Sequence, residues 1–137
     1  MDADTTAKKG THEEILATFA EGGADILIGT QMIVKGHDFA NVTLVGVMAA
    51  DLSLYAPDYK SAERTFELLT QASGRAGRGE LQGDVVIQTY APDHYAVSSA
   101  AEQDYLQFYR QELLYRKMMG YPPLVRLLTI GLSSKRE

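Results

Sequence analysis

The chain contains no cysteine, which excludes a disulfide framework and a cysteine-based zinc site. Its three histidines, His12, His37 and His94, are too scattered to have the spacing of metal ligands. No apolar run approaches membrane-spanning length, and no signal-peptide pattern follows Met1. These absences predict a soluble, intracellular protein without a resident metal.

Common catalytic patterns are also missing. No Gly-x-x-x-x-Gly-Lys-Ser/Thr loop is present, so the chain lacks the primary cradle for a nucleoside triphosphate. The glycines Gly74, Gly77 and Gly79 have the reverse spacing of a dinucleotide fingerprint and follow a predicted helix, which excludes a dinucleotide site. No Ser/His/Asp or Cys/His arrangement is recognisable.

Charge is unevenly distributed along the 137 residues. A net charge of −5 argues against a broad basic face that wraps nucleic acid. Residues 1–60 carry nine acids and four lysines, whereas residues 61–137 carry nine acids, nine bases and all seven arginines. Any anion-binding surface is therefore predicted to be local.

Apolar runs alternate with helical patterns, which predicts an α/β fold with a mostly parallel sheet flanked by helices. The first three predicted strands make a small sheet, so we expect the sheet to be incomplete. The last predicted strand has no visible partner in that sheet, which indicates that the chain ends inside a second domain. The predicted strands are residues 25–28, 42–50, 84–90 and 124–132.

The predicted helices are marked by their ends. A Thr-x-x-Glu capping box at Thr11 and two glycines at Gly22 bound the first helix. Pro92 opens a helical region, and Gly120 ends the longest helix. The two best-defined helices are residues 61–73 and 102–119.

Residues 71–79 contain two arginines, Arg75 and Arg78, each preceded by a glycine. Arginines at i and i+3 share one face of a helical turn, and glycines let another surface approach the backbone. The planar guanidinium suits phosphate, so the stretch is interpreted as a phosphate clamp facing a group outside the chain. A glycine-rich turn with two solvated arginines is the alternative.

Residues 29–38 leave the carboxyl end of the predicted strand 25–28, the place where open α/β sheets bind ligands. Thr30 offers a hydroxyl and Asp38 a carboxylate, with Lys35 and Gly36 between them. A threonine that only caps the turn after its strand is the alternative for Thr30.

Residues 29–38 resemble motif V of superfamily-two helicases, and residues 71–78 resemble their motif VI. Among these helicases, the chain most resembles the bacterial replication-restart DNA helicases, the primosomal protein N′ (PriA) family. This resemblance covers nearly the whole chain. The segments that carry it are residues 25–39, 51–58, 63–66, 71–78 and 121–123.

This resemblance implies that residues 1–100 form the second, RecA-like motor lobe and residues 101–137 a linking helix and the start of the C-terminal domain. In that family ATP binds between two lobes, and the first lobe supplies the phosphate loop and the Asp-Glu pair that binds Mg²⁺. Zinc belongs to a cysteine-rich segment of the parent protein and not to this part. The chain alone is therefore predicted not to hydrolyse ATP.

The resemblance also implies roles for the residues of motif VI. Arg78 matches the arginine finger that reaches the γ-phosphate, and Arg75 matches its companion phosphate or coupling arginine. Gln71 matches a polar contact at the lobe interface, on the nucleotide side.

In motif V, Gly36 and Asp38 match positions on the nucleotide side, with Asp38 contacting ribose or coupling nucleotide to DNA. Thr30 matches a threonine that donates to a DNA phosphate. Lys35 stands where many relatives carry arginine. We therefore expect it to contact DNA through a single ammonium charge rather than through the planar fork of donors of a guanidinium.

Other polar and aromatic residues admit two interpretations each. The tyrosines of residues 52–60 are predicted to anchor their loop to the core, with stacking on single-stranded bases as the alternative. Arg110, Arg116 and Lys117 are predicted to form a solvated face, with DNA contact as the alternative. Tyr105, Phe108 and Tyr109 are predicted to form a seam between a helix and a domain.

The family implies single-stranded and forked DNA, the first helicase lobe, and other primosome and single-strand-binding proteins as partners, with no membrane. It also implies a cytoplasmic, nucleoid-associated location in bacteria. The competing hypothesis is a non-enzymatic α/β module whose arginine loop docks a phosphorylated or acidic partner.

Overall fold

The structure is a computed structural model that describes residues 11–34, 39, 41–77 and 82–133. Within these ranges, four α-helices and two β-strands alternate along the chain, with short 3-10 helices at Gln31–Val34 and Ala50–Ser53. The elements are α1 (Thr11–Ala20), β1 (Leu44–Val47), α2 (Ser61–Ser73), β2 (Asp84–Ile87), α3 (Tyr95–Ala101) and α4 (Tyr105–Met119).

Strands β1 and β2 pair in parallel, with Leu44 opposite Asp84 and Val47 opposite Ile87. The parallel α/β arrangement is confirmed, although both strands are shorter than predicted. Side chains alternate between exposed and half-buried along each strand, because successive residues of a strand point to opposite faces. The inner face packs Val47 and Ile87 against the helices.

The hydrophobic core lies between this face of the sheet and helices α2, α3 and α4. Phe66 of α2 stacks on Phe108 of α4, with ring centroids 4.2 Å apart and planes 9° from parallel. Ala96 and Ala100 of α3 are fully buried, and their small side chains allow the neighbouring elements to approach closely. Burying each phenylalanine contributes about 1.5–3 kcal/mol to folding, so α4 shares one core with the rest of the chain.

The ends of α1 and α4 follow the sequence signals. Gly22 adopts a left-handed conformation after α1, and the amides of Gly22 and Gly23 donate to the carbonyls of Phe19 and Thr18. Gly120 ends α4 in the same left-handed region.

Helix α4 begins three residues later than predicted. Its cap is Asp104, whose carboxylate accepts a hydrogen bond of 2.9 Å from the amide of Gln107. Gln103, immediately before the cap, has a φ of 55°, which a continuing right-handed helix does not permit.

Two predicted strands are wrong. Residues 25–28 and 124–132 form no ladder with any other part of the described chain, and most of their apolar side chains face solvent, with Ile26 and Ile28 exposed by 76% and 77%. A strand requires a partner for its backbone groups, and an apolar run by itself carries no information about that partner. The described sheet therefore has two strands rather than four.

Candidate functional site

The motif VI stretch begins on the last turn of α2 and continues into a turn over residues 74–77. The amides of Gly74 and Arg75 donate to the carbonyls of Thr70 and Ala72, at 3.0 Å each. Gln71 is exposed and lines a groove of about 630 Å³ between α2 and α4, and Arg75 is half-buried. The stretch ends the helix, as predicted.

Gly77 fixes the position of this turn at the amino ends of both strands. Its φ is +69°, and its amide donates to the carbonyl of Val42, which precedes β1, at 3.1 Å. A Cβ on Gly77 would lie 2.7 Å from the backbone nitrogen of Gly83, which precedes β2. A Cβ on Gly83 would in turn collide with the backbone nitrogen of Gly77.

The two glycines therefore pack backbone against backbone, and neither position has room for a side chain. We predicted that glycines in this stretch let another surface approach. For Gly77 that surface is Gly83 of the same chain, so its glycine is required by packing within the domain.

The described part of motif V is a 3-10 helix that lies beside α2. Thr30 is exposed before its first residue, and its carbonyl accepts a 3.1 Å hydrogen bond from the amide of Ile33. Phe39, directly after motif V, packs edge-on against Phe19 of α1 with ring centroids 5.0 Å apart. Helix α2 thus runs past the start of motif V and leads into motif VI.

Three of the predicted site residues, Thr30, Gln71 and Arg75, lie in the part of the chain that the structure describes. The others lie outside the described residues, and the roles of all seven stay predictions. The residues outside the described part are Lys35, Gly36, Asp38 and Arg78.

At the carboxyl ends of the strands, Asp51 joins the two segments that follow β1 and β2. Its side chain is almost completely buried. One carboxylate oxygen accepts hydrogen bonds from the Thr89 hydroxyl and, at 3.3 Å, from the Ala91 amide. The other accepts from the Tyr90 amide at 2.8 Å.

These donors favour the ionised form of Asp51. The Thr89 hydroxyl contributes most, followed by the Tyr90 amide, and together they hold the pKa of the Asp51 carboxyl below its ordinary value. No role for Asp51 was predicted from the sequence. Its one signal was an acid placed directly after an apolar strand.

Arg116 of α4 is the centre of a second polar network and is only 8% exposed. Its Nε donates to Glu112 at 2.6 Å, its Nη2 to Glu63 of α2 at 2.7 Å, and its Nη1 to the Pro122 carbonyl at 3.1 Å. The Tyr95 hydroxyl donates to the other Glu112 oxygen at 2.6 Å. The network ties the start of α2 to α3, to the end of α4 and to the segment after it.

The prediction of a solvated face is therefore wrong for Arg116, because its guanidinium is buried and each of its three nitrogens donates to a group of its own chain. Arg110 and Lys117 are exposed, as that prediction required. Phe108 lies in the core where α4 packs against α2, as the predicted seam between a helix and a domain requires, whereas Tyr105 and Tyr109 are exposed.

The tyrosines after β1 divide into two kinds. Tyr59 lies under the Arg116 guanidinium, 5.5 Å from its ring centroid, and 5.6 Å from the ring of Tyr121. The predicted anchoring role is confirmed for Tyr59. It does not hold for Tyr55, which is 75% exposed.

Within residues 11–34, 39, 41–77 and 82–133, no group of three or more His, Asp or Glu side chains could hold a metal ion. None of the helices in this described part is long and apolar enough to cross a membrane.

The parallel α/β layer and the arginine-bearing turn after α2 agree with a helicase-type domain, and the match to a family model shows that class. The chain belongs to the helicase conserved C-terminal domain family, whose model matches residues 2–80. Its particular relatives are replication-restart proteins, which confirms the resemblance predicted from motifs V and VI.

The chain is 56% identical over 133 residues to the replication restart protein PriA of Bacillus subtilis (strain 168), covering 97% of the chain and 16% of that relative. It is 52% identical over 130 residues to PriA of Synechocystis sp., covering 95% of the chain and 16% of that relative. For PriA of Chlamydia pneumoniae the identity is 49% over 128 residues, with coverages of 93% and 17%. The chain thus spans about a sixth of the length of these curated relatives.

Proposed function

We propose that this chain is the second motor lobe of an ATP-dependent DNA helicase or translocase that acts in replication restart, in primosome assembly at stalled forks. The observation that carries the proposal is the motif VI turn. It belongs to a chain of the helicase C-terminal family, and Gly77 and Gly83 hold it in a fixed position at the end of α2. A fixed turn suits a residue that must meet a phosphate in one geometry.

Arg78 is the proposed arginine finger and Arg75 its companion at the phosphates, with Gln71 as a polar contact at the interface between lobes. Arginine suits this task because its planar fork of donors stabilises charge on a transferring phosphoryl group. The exposure of Gln71 and Gly74 supports the proposal, because a group that completes a shared site must be accessible from outside its own lobe.

Thr30 and Lys35 are the proposed contacts to DNA phosphates, and Gly36 and Asp38 the proposed contacts on the nucleotide side. The 3-10 helix Gln31–Val34, which follows Thr30, lies beside α2, and this supports a coupling role because α2 also leads to motif VI. A displacement of α2 on nucleotide binding would be felt at both motifs.

The cofactors of the proposed whole protein are ATP and Mg²⁺, held mainly by the first lobe, with zinc bound elsewhere in the parent protein. The proposed partners are single-stranded and forked DNA, the first lobe, and primosome and single-strand-binding proteins at the bacterial nucleoid. We propose that residues 1–100 are the motor lobe and residues 101–137 the linking helix and the start of the next domain.

The proposal is tested by replacing the matching segment of the Bacillus subtilis relative, 56% identical, with this chain. We expect the chimera to hydrolyse ATP in the presence of single-stranded DNA and Mg²⁺, and the 137-residue chain alone to release no phosphate. Hydrolysis by the chain alone, or an inactive folded chimera, would contradict the proposal.

The arginine assignment is tested in the same chimera by Arg78→Ala. We expect the DNA-stimulated rate to fall by about 10³-fold or more, with ATP binding retained. Arg110→Ala is the matched control, because Arg110 is an exposed arginine on α4 outside both motifs. Near-normal turnover by Arg78→Ala would show that the finger is another residue.

A further inference from the structure

A second concave site lies at the carboxyl ends of the two strands, away from the motif VI turn. Its lining comes from the loop that follows β1, from the start of α3 after β2, and from α4 with the segment after it. In α/β proteins, ligands commonly bind outside the carboxyl ends of parallel strands. The site, here called the tyrosine pocket, has a volume of about 400 Å³, and its aromatic lining is Tyr55, Tyr59, His94, Tyr95, Tyr115 and Tyr121.

Three of these aromatic residues are committed to internal contacts. Tyr59 packs on Tyr121 and under Arg116, and the Tyr95 hydroxyl is bound to Glu112. They form the fixed floor of the pocket. Tyr55, by contrast, is 75% exposed, and Tyr115 is 38% exposed, so both rings have accessible surface.

His94 supplies a donor of defined identity. It caps α3, and its Nδ1 accepts a 3.2 Å hydrogen bond from the amide of Ala96. An accepting Nδ1 places the ring proton on Nε2 in the neutral form. Burial lowers the pKa of His94, which favours this neutral form at physiological pH.

The rim of the pocket carries a cation. Lys60 is exposed, and its Nζ lies 5.7 Å from the centroid of the Tyr59 ring. Asp58, an acid that lines the pocket, is already engaged, since it accepts from the Lys60 amide at 3.0 Å and pairs with Arg64 at 2.7 Å. The Lys60 ammonium group therefore remains at the rim to meet a phosphate.

We propose that the tyrosine pocket binds one base of single-stranded DNA, by stacking on Tyr55 and Tyr115 with the His94 Nε2–H as donor and Lys60 at the adjoining phosphate. Aromatic rings beside a cation are the usual means of binding single strands, because every base has a π-face. The choice of DNA rests on the proposed motor function. A proline-rich peptide also suits tyrosine-lined grooves, but it offers no anion for Lys60.

The test measures binding of a fluorescently labelled oligothymidylate to the full 137-residue chain by anisotropy, over a series of salt concentrations. We expect Tyr55→Ala to weaken binding by about 5- to 100-fold at every salt concentration, with an unchanged salt slope. Lys60→Ala should instead lower the salt slope by about one. Tyr55→Phe should retain wild-type affinity because it keeps the stacking ring.

Tyr90 provides the matched control, because it is 90% exposed and does not line the pocket. Tyr90→Ala should leave affinity unchanged. With an oligonucleotide that carries 5-iodouracil, photo-cross-links should map to Tyr55 or Tyr115. The inference would be overturned by any of three results. Cross-linking could be equal at Tyr90, or Tyr55→Ala and Tyr115→Ala could both keep the wild-type affinity for the oligonucleotide. The third result is a chain that binds a proline-rich peptide but no oligonucleotide at low salt.

Failure of this inference is distinguishable from failure of the proposed function. If the chimera shows DNA-stimulated hydrolysis and Tyr55→Ala binds DNA as tightly as wild type, the pocket inference is refuted and the proposed motor function is retained. If binding by the chain depends on the tyrosines but the folded chimera is inactive, the pocket inference is retained and the proposed motor function is refuted.

Discussion

The two edges of the β1–β2 sheet are held together in opposite ways. At the amino edge, before the strands, Gly77 and Gly83 touch through their backbones, and the space between them excludes any side chain. At the carboxyl edge, Asp51 spans the gap with an ionised side chain that accepts from three donors. The amino edge is therefore held by close backbone packing, and the carboxyl edge by hydrogen bonds to a charged carboxylate.

This difference predicts how each edge responds to change. A contact between backbones has no titratable group, so the motif VI turn should keep its position across a wide pH range. A carboxylate that accepts several hydrogen bonds tolerates no loss of its charge. The amino edge should therefore be sensitive to added volume and the carboxyl edge to protonation.

The largest expected effect is that of Gly83→Ala. The added methyl group collides with the backbone of Gly77 and Ala76, which cannot rotate away as a flexible side chain would. Overpacking of this kind costs about 1–3 kcal/mol or more of the free energy of unfolding. Urea unfolding followed by circular dichroism measures the loss.

Two other glycines separate the causes in that experiment. Gly22 has a φ of +79° with nothing within 4 Å, so Gly22→Ala carries only the backbone strain of about 1–2 kcal/mol. Gly46 in β1 also has open space around it and needs no positive φ, so Gly46→Ala should be neutral or slightly stabilising. A Gly83→Ala loss no larger than that of Gly46→Ala would refute the close packing.

The next effect is expected at Asp51. Asp51→Asn leaves a single acceptor oxygen and a donor amide facing Thr89, Tyr90 and Ala91, so we expect a lower melting temperature at neutral pH. Because the pKa of Asp51 is lower in the folded chain, its stabilisation is present above the ordinary value of 3.8 and is lost as the pH falls below it.

Thermal melts of wild type and Asp51→Asn between pH 2 and pH 7 test both statements. The difference between the two melting temperatures should shrink on the acid side of about pH 4. A difference that stays constant across this range would mean that the charge of Asp51 does not hold the carboxyl edge.

A smaller effect is expected from Tyr95→Phe, which removes one hydrogen bond to Glu112 and costs about 1–2 kcal/mol of the free energy of unfolding. Burial, followed by the hydrogen bond to Glu112, raises the pKa of Tyr95 in the folded chain. The raised pKa means that its contribution is complete below the ordinary value of 10.0 and is lost as the pH rises above it.

Urea unfolding of wild type and Tyr95→Phe at pH 7 and pH 11 provides the measurement. The advantage of wild type should diminish at the higher pH. An equal advantage at both values would place the Tyr95 hydroxyl outside the Glu112 network.

Local signals predicted the helices well and the sheet only in part. The bounds of α2, residues Ser61–Ser73, were predicted correctly because an amphipathic run is followed by the glycine of motif VI. Residues 25–28 were predicted as a strand because an apolar run looks the same with or without a pairing partner.

Motifs supplied the candidate site residues, whose roles stay predictions, whereas the polar networks that depend on tertiary contacts gave no local signal. Glu63 and Arg116 lie 53 positions apart, and the local sequence around each residue does not predict their contact. The role of Asp51 depends in the same way on a hydroxyl and two amides about 40 residues further along the chain.

The stack of Phe66 on Phe108 also determines where the chain can be cut. A truncation after Ala100 would follow the proposed domain boundary, but it would remove α4 and leave the ring of Phe66 without its cover. Such a fragment would expose apolar surface of the core to solvent and tend to aggregate. The smallest piece suited to expression by itself therefore extends through Tyr121 and Pro122, and limited proteolysis should spare the peptide bonds between α3 and α4.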